Sequence, residues 1–418
     1  MNRIFLAGGA LLFLTCGTAA ANSTAGGPAP GGFDISVGGD AYFTRGFVNQ
    51  TYDSTDKKTI GGLSNRFRFH ITPMAVADNG LEYGATLRFR AHVATGAIDA
   101  DQAYLFLNGR LGRVEAGLAP GINSQWGVVA PSGFGTGGVV GDWSAGSGWI
   151  QNQNTYVEGQ FGGGWNIVTN TDWATRINYF SPRLLPQDEA DTGLMIMISY
   201  APKNLSIGTH VDRSALTPAN ASNQSLCAET QPAASSLFGC GYRNIIEPGL
   251  RYDAKFHDIH LAVSAGYEHG DSPADTNGVA FHDLSAYQIG VNLGYGGWLI
   301  GGSYSNAGKS SYAKNQGYAL SQQAAITAGL SYETGPWVMG VNSAFGEDAG
   351  DVTVAGKRTA NLYSVGGTYT IAPGLTTSLE YLRSITRNEA AYTSDPFGDR
   401  KNTSSNATLI LWKTKVSF

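Results

Sequence analysis

The final thirteen residues, Asn406 to Phe418, alternate apolar and polar side chains up to a terminal aromatic. One face carries Ile410, Trp412, Thr414, Val416 and Phe418; the other carries Leu411, Lys413, Lys415 and Ser417. Successive strand side chains point to opposite faces, so one face suits lipid and most of the other suits water. A strand of this kind needs a neighbour on each edge, because an open edge cannot sit in a bilayer. The first strand of a closed barrel is the obvious partner.

The opposite end of the chain agrees. Arg3 precedes an apolar run, Ile4 to Leu14, and then Ala19-Ala20-Ala21. That pattern predicts a secretory signal over residues 1–21 with cleavage before Asn22. The run is too short for a membrane helix, which needs about 20 residues. A lipoprotein signal ending at Cys16 is the alternative, and Thr15 before it fits poorly. The 57 glycines and 15 prolines suit many strands joined by turns. With Cys16 lost, Cys227 and Cys240 remain, and an oxidising compartment is expected to join them; two free thiols are the other possibility. A balance of 27 basic to 32 acidic residues gives no reason to expect a nucleic-acid partner.

After a flexible stretch over 22–32, strand-like segments run through 33–418 without a composition break, which reads as one domain. Alternation is clear at Tyr83–Val93, Leu194–Tyr200, Leu261–Tyr267, Tyr287–Tyr295, Ile326–Tyr332 and Leu375–Tyr381. Aromatics recur near the ends of these segments, as interfacial girdles require. Short turns are expected at Pro73–Gly80, Asn108–Gly112, His257-Asp258, Gly296-Gly297, Gly335-Pro336 and Pro373-Gly374. Long loops are expected near Arg45–Gly62, Ala119–Trp173, Pro202–Tyr242, Gly270–Asp283, Ser305–Ser321, Gly346–Arg358 and Ile385–Ser405. Leu205–Val211 also alternates, but an odd strand breaks the short–long order, so it is assigned to the fourth external loop. The prediction is an all-β, antiparallel transmembrane barrel of about 16 strands, wide enough for an aqueous channel.

Together with Tyr104-Leu105-Phe106, the segment Gly109–Leu118 and the run Arg176–Arg183, this pattern resembles the general trimeric porins of Gram-negative outer membranes, particularly the alphaproteobacterial type. The resemblance implies a homotrimer in the outer-membrane bilayer that passes small hydrophilic solutes and ions. It also implies that Phe418 is an insertion signal and that the third external loop, 119–173, folds inward to narrow the channel.

The residues that would set permeability follow from parity. If the second and third strands turn odd positions to lipid, then Arg66, Arg68, His70, Arg88, Arg90 and His92 point into the lumen, with Arg66 and Arg68 near Arg88. Like charges across a strand pair cost stability. Such a cluster is either a solvated wall or one side of a constriction. Opposing carboxylates are available in the long third loop, which holds Trp126, Trp143, Trp149, Trp165 and Trp173, five of the eight tryptophans. So much aromatic surface argues for folding against the barrel interior. The loop has no Lys or Arg, and its acids are Asp142, Glu158 and Asp172. Facing the arginines they would set up a transverse field that screens solutes by charge. Lys413 and Lys415 are expected in the lumen near the periplasmic mouth.

Enzyme motifs are broken. Gly308-Lys309-Ser310 lacks the first glycine of a phosphate loop, Asp275–Gly278 lacks the rest of a calcium loop, and His70 and His92 lack a third ligand. No cofactor or metal is expected. The competing readings are a substrate-selective porin for sugars or anions, or a barrel that anchors an adhesin.

Overall fold

The computed structural model describes residues 32–52, 56–91, 98–140, 174–185, 192–203, 242–272, 280–310, 314, 322–348, 356–388 and 405–418. Its first half contains β1 (Phe33–Tyr52), β2 (Asp56–Val76), β3 (Glu82–Ala91), β4 (Ile98–Gly109), β5 (Gly112–Ala119), β6 (Ala174–Phe180), β7 (Gly193–Lys203) and β8 (Arg243–Phe256). The second half contains β9 (Ile259–Asp271), β10 (Leu284–Tyr295), β11 (Trp298–Gly308), β12 (Gln323–Thr334), β13 (Trp337–Asp348), β14 (Arg358–Ala372), β15 (Leu375–Asn388) and β16 (Ser405–Ser417). Each pairs antiparallel with its sequence neighbours, and β16 pairs with β1 to close a sixteen-stranded barrel. At the seam, Gly39 and Phe418 exchange backbone hydrogen bonds of 2.8 and 3.1 Å.

The period-2 pattern sorts side chains as expected. On β10, Tyr287, Ile289, Val291, Leu293 and Tyr295 are exposed on the outer surface, while the intervening Gln288 and Asn292 are buried. On β16, Ile410, Trp412, Val416 and Phe418 are exposed and Leu411 is buried. Aromatic pairs sit beside the short turns: Trp298–Tyr332 with ring centroids 4.5 Å apart and Trp337–Tyr369 at 4.6 Å. They form the girdle at that rim.

Two expectations change. The loop expected at Arg45–Gly62 is almost entirely strand: β1 and β2 pair in unbroken register from Arg45↔Leu63 to Tyr52↔Asp56. Gly46, Gly61 and Gly62 there read as loop residues, but Phe47, Val48 and Ile60 between them supply strand-forming side chains. In addition, the connection from β6 to β7 runs from Ser181 to Thr192 on the side of the short turns, and is longer than they are. The expected strand-like segment Leu205–Val211 and the pair Cys227 and Cys240 lie outside the described residues.

Candidate pore constriction

The connection after β5 turns into the barrel. Its first part, 120–140, contains the short helix α1 (Ile122–Trp126) and a 3-10 turn at Gly138–Val140. From there it runs around the inner wall from β8 to β16, held by lumen-facing side chains. Glu247 on β8 accepts hydrogen bonds from the backbone N–H of Ile122 and Asn123 at 3.2 and 2.8 Å, satisfying donors of the first helical turn. Arg176 on β6 pairs with the same carboxylate at 2.9 Å, and both side chains are buried. Further on, Ser264 Oγ accepts from Val128 N–H at 2.7 Å, and Asn342 Oδ1 accepts from Val139 N–H at 3.0 Å while its Nδ2 donates to the Pro131 carbonyl at 2.9 Å.

The loop's far end is held by a second buried acid. Glu380 on β15 accepts from the Thr136 N–H at 2.5 Å and from the hydroxyls of Thr136 and Ser364. Lys413 Nζ donates to the Thr136 carbonyl at 2.9 Å. The close approach depends on glycine in the wall. A Cβ at Gly290 would lie 1.8 Å from the Val128 carbonyl oxygen, and one at Gly340 would lie 2.3 Å from the Phe134 ring. The apolar end of the loop packs as well: Ile122 contacts a cluster of Phe180, Met195 and Met197, with Trp126 beside it. Polar clamps and apolar contacts together make the loop part of the wall.

Across from this lined half stand β1, β2 and β3, with β16 between them and the loop's far end. Even positions of β2 and β3 turn inward, since Leu63, Phe67 and Leu87 are exposed on the outside. In register, Arg68 stands opposite Arg90 and His70 opposite Arg88. The expectation had put Arg66 and Arg68 beside Arg88; the observed register is offset by one inward-facing pair. Asp40 on β1 separates the like charges: Arg68 Nε and a terminal guanidinium nitrogen reach its Oδ1 at 3.0 and 2.9 Å, and Arg66 reaches Oδ2 at 3.2 Å. The Arg66 guanidinium also lies 4.6 Å over the Tyr42 ring, and Lys413 Nζ lies 5.7 Å from the same ring. Lys415 stands opposite Tyr42, on the lumen face of β16, and Arg90 opposite Asp99 on β4.

The structure thus brings together Arg66, Arg68, Arg88, Arg90, Lys413 and Lys415 along one wall. Asp142, Glu158 and Asp172, the carboxylates expected to oppose them, lie outside the described residues, as does His92. Sequence reasoning missed Asp40, Glu247 and Glu380. Each is an acidic residue on an inward parity position of an amphipathic strand, and that signal was present.

A closed barrel of sixteen strands, lined by an infolded loop and a charged wall, defines a transmembrane channel of the outer-membrane type. The comparisons make the class specific. The chain belongs to the Gram-negative porin family, whose model matches residues 8–389. It is an outer-membrane β-barrel and a passive diffusion channel. An uncharacterised protein of Rickettsia prowazekii is 23% identical over 299 residues, a match spanning 64% of this chain and 62% of that relative. One of Rickettsia conorii is 22% identical over the full length of both. Among solved structures, the anion-selective porin of Comamonas acidovorans superposes with a TM-score of 0.55 at 14% identity, covering 93% of this chain and all of that one. A mutant of Rh. blastica porin gives 0.51 at 15%, covering 92% and 100%. The trimer form of OmpT, an outer-membrane protein of Vibrio cholerae, gives 0.51 at 13%, covering 92% and 99%.

Proposed function

We propose that the channel prefers anions, does no chemistry on what it passes, and works as a homotrimer. The observation that carries the preference is the wall of β16, β1, β2 and β3, where six cationic side chains outnumber the acids described at inward positions of the same strands, Asp34, Asp40 and Glu82. The acids of the other half are spent on structure. Glu247 and Glu380 are buried behind the loop they hold, and Glu115 is buried with Arg113 at 2.9 Å. In this proposal the loop acids Asp142, Glu158 and Asp172, outside the described residues, set how far the basic wall dominates. The solved relative described as anion-selective supports the same reading. Removal of residues 1–21 and a Cys227–Cys240 bridge stiffening the fourth external loop belong to this proposal.

The reversal potential of single channels under a potassium chloride gradient tests it. A sign showing chloride more permeant supports the preference; a cation-selective sign overturns it.

The trimer is supported by the outer face of β1. Arg45 shares that face with Phe43 and Phe47, opposite Trp412 on β16 and Leu63 on β2. A tilted strand climbs about 2.5 Å per residue through an apolar band about 25 Å tall. Arg45 is six positions above Phe418 by its Trp412 pairing and eight below residue 53, well inside that band. A lipid-facing arginine near the midplane costs about 2–4 kcal/mol. Asn65 and Asn49 on the same face are exposed too. Acceptors supplied by a second copy would offset that cost. The OmpT structure described as a trimer supports the same arrangement.

A further inference from the structure

The outer surface holds one site that neither permeation nor the proposed subunit contact uses. On the lipid-facing side of β11 to β15 lies an apolar groove of about 560 Å³, lined by Ile300, Ala328, Val341, Ser343, Tyr363 and Val365, among others. It exists because small residues, Ala328 and Ser343, stand opposite each other between larger neighbours. The neighbours Ile300, Val341, Tyr363 and Val365 keep 40–54% of their surface exposed, so the groove opens outward.

The groove is bordered by cationic side chains at one end. Tyr363 stands directly opposite Arg383 on β15, and Tyr381, which also lines the groove, precedes Arg383 by two positions on the same face. Arg387 follows on that face and is exposed. Arg383 lies nine positions beyond Gly374 in the short turn, which places it about 22 Å up the barrel wall, at the upper edge of the apolar band. Its guanidinium donates to Thr408 Oγ1 at 2.6 Å, and a guanidinium has five N–H donors in all. Glu347, on the Arg387 row two strands away, pairs with Lys357 at 3.3 Å.

We infer that this is a binding site for an anionic lipid of the outer leaflet that carries a phosphomonoester, with its phosphate on Arg383 and Arg387 and an acyl chain in the groove below. Guanidinium matches phosphate oxygens in a two-point geometry that an ammonium does not reproduce, and a phosphomonoester keeps the net negative charge that the choline of a zwitterionic headgroup offsets. The interfacial level of Arg383 puts that charge where headgroup phosphates lie, and the groove beneath it faces the acyl region. The lipid would act as a fixed collar on β13 to β15, whose inner faces hold the loop clamps Asn342 and Glu380 and the Ser364 hydroxyl that donates to Glu380.

Native mass spectrometry of the full-length protein in detergent tests this, with phosphatidic acid and phosphatidylcholine as probes. The expected result is retention of phosphatidic acid at least about tenfold above phosphatidylcholine. Arg383→Gln with Arg387→Gln should abolish the preference. Ala328→Phe, which fills the groove, should reduce retention of phosphatidic acid while leaving binding of inorganic phosphate unchanged. Single-channel conductance like that of the parent protein shows that each variant has folded. Equal retention of both lipids, or equal retention by the parent and the arginine variant, overturns the inference. Loss of subunit association in the arginine variant overturns it as well, since the arginines would then belong to a protein contact.

Discussion

Asp40 shows how much one side chain can decide in this wall. Without it, Arg66 and Arg68, two positions apart on one face, lose the carboxylate that both reach, and Arg90 faces Arg68 across the strand pair. Asp40→Asn keeps a hydrogen-bond acceptor but removes the negative charge. The expected outcome is a reversal potential moved further toward chloride, together with a lower unfolding temperature from the unrelieved repulsion. Neutralising Arg66, Arg68 and Arg88 together has the opposite sign. The chloride-to-potassium permeability ratio should drop by about threefold or more, read from the same salt-gradient measurement. An unchanged reversal potential would move the selective region away from β2 and β3. Swapping Arg66 or Arg68 for Lys is not conservative, since Arg68 engages Asp40 through two nitrogens and Arg66 stacks on Tyr42.

At the scale of elements, the loop over 120–140 is fixed by what the strands offer it. Clamps at Glu247, Ser264, Asn342 and Glu380 are spread over β8, β9, β13 and β15, so the loop is held along its length. Gly290→Val would drive a side chain into the Val128 carbonyl and lift the loop from the wall. The expected signature is a barrel that still inserts but conducts in noisy, fluctuating sub-levels. Glu380→Ala should do the same at the loop's far end, with Glu380→Gln milder because an amide oxygen still accepts from the Thr136 N–H. Much of this was legible in the chain. Odd–even parity gave the lipid face of β2, β3, β7, β9, β10, β12, β15 and β16, and the inward course expected for the third loop is met over 120–140, the part of it that is described. The loop's path was not legible, because its determinants are absences of side chain: Gly290 and Gly340 read as weak points in strands until something lies against them. The extended β1–β2 hairpin was missed for a related reason, since its glycines mimic a turn while its pairing is set across strands.

For the whole molecule, the proposed trimer rests on the outer face of β1. Arg45→Leu should make an isolated barrel more compatible with lipid, whereas Arg45→Asp should penalise any state that buries this face. Heat-graded electrophoresis of the unboiled protein would show Arg45→Asp trimers dissociating at lower temperature. Identical dissociation of parent and variant would place the contact elsewhere. Conductance steps occurring in threes are the matching electrical outcome for the assembled state.

The seam where Gly39 meets Phe418 has a consequence for how such a molecule comes into being. Thr51 and Asn406, neighbours across that seam, are 355 residues apart in the chain. The entropy of closing so long a loop grows only as the logarithm of its length, yet it must be met before the closing ladder returns anything. Until then β1 and β16 each present a bare edge. Translocation from one end delivers β1 first and β16 last, so sequence neighbours can pair as they arrive but the β1–β16 ladder cannot form until the last strand is present. The first strand must therefore wait, unpaired on one side, for the last. Closure of the seam is therefore the late step, and both edges stay open to mispairing for as long as that wait lasts.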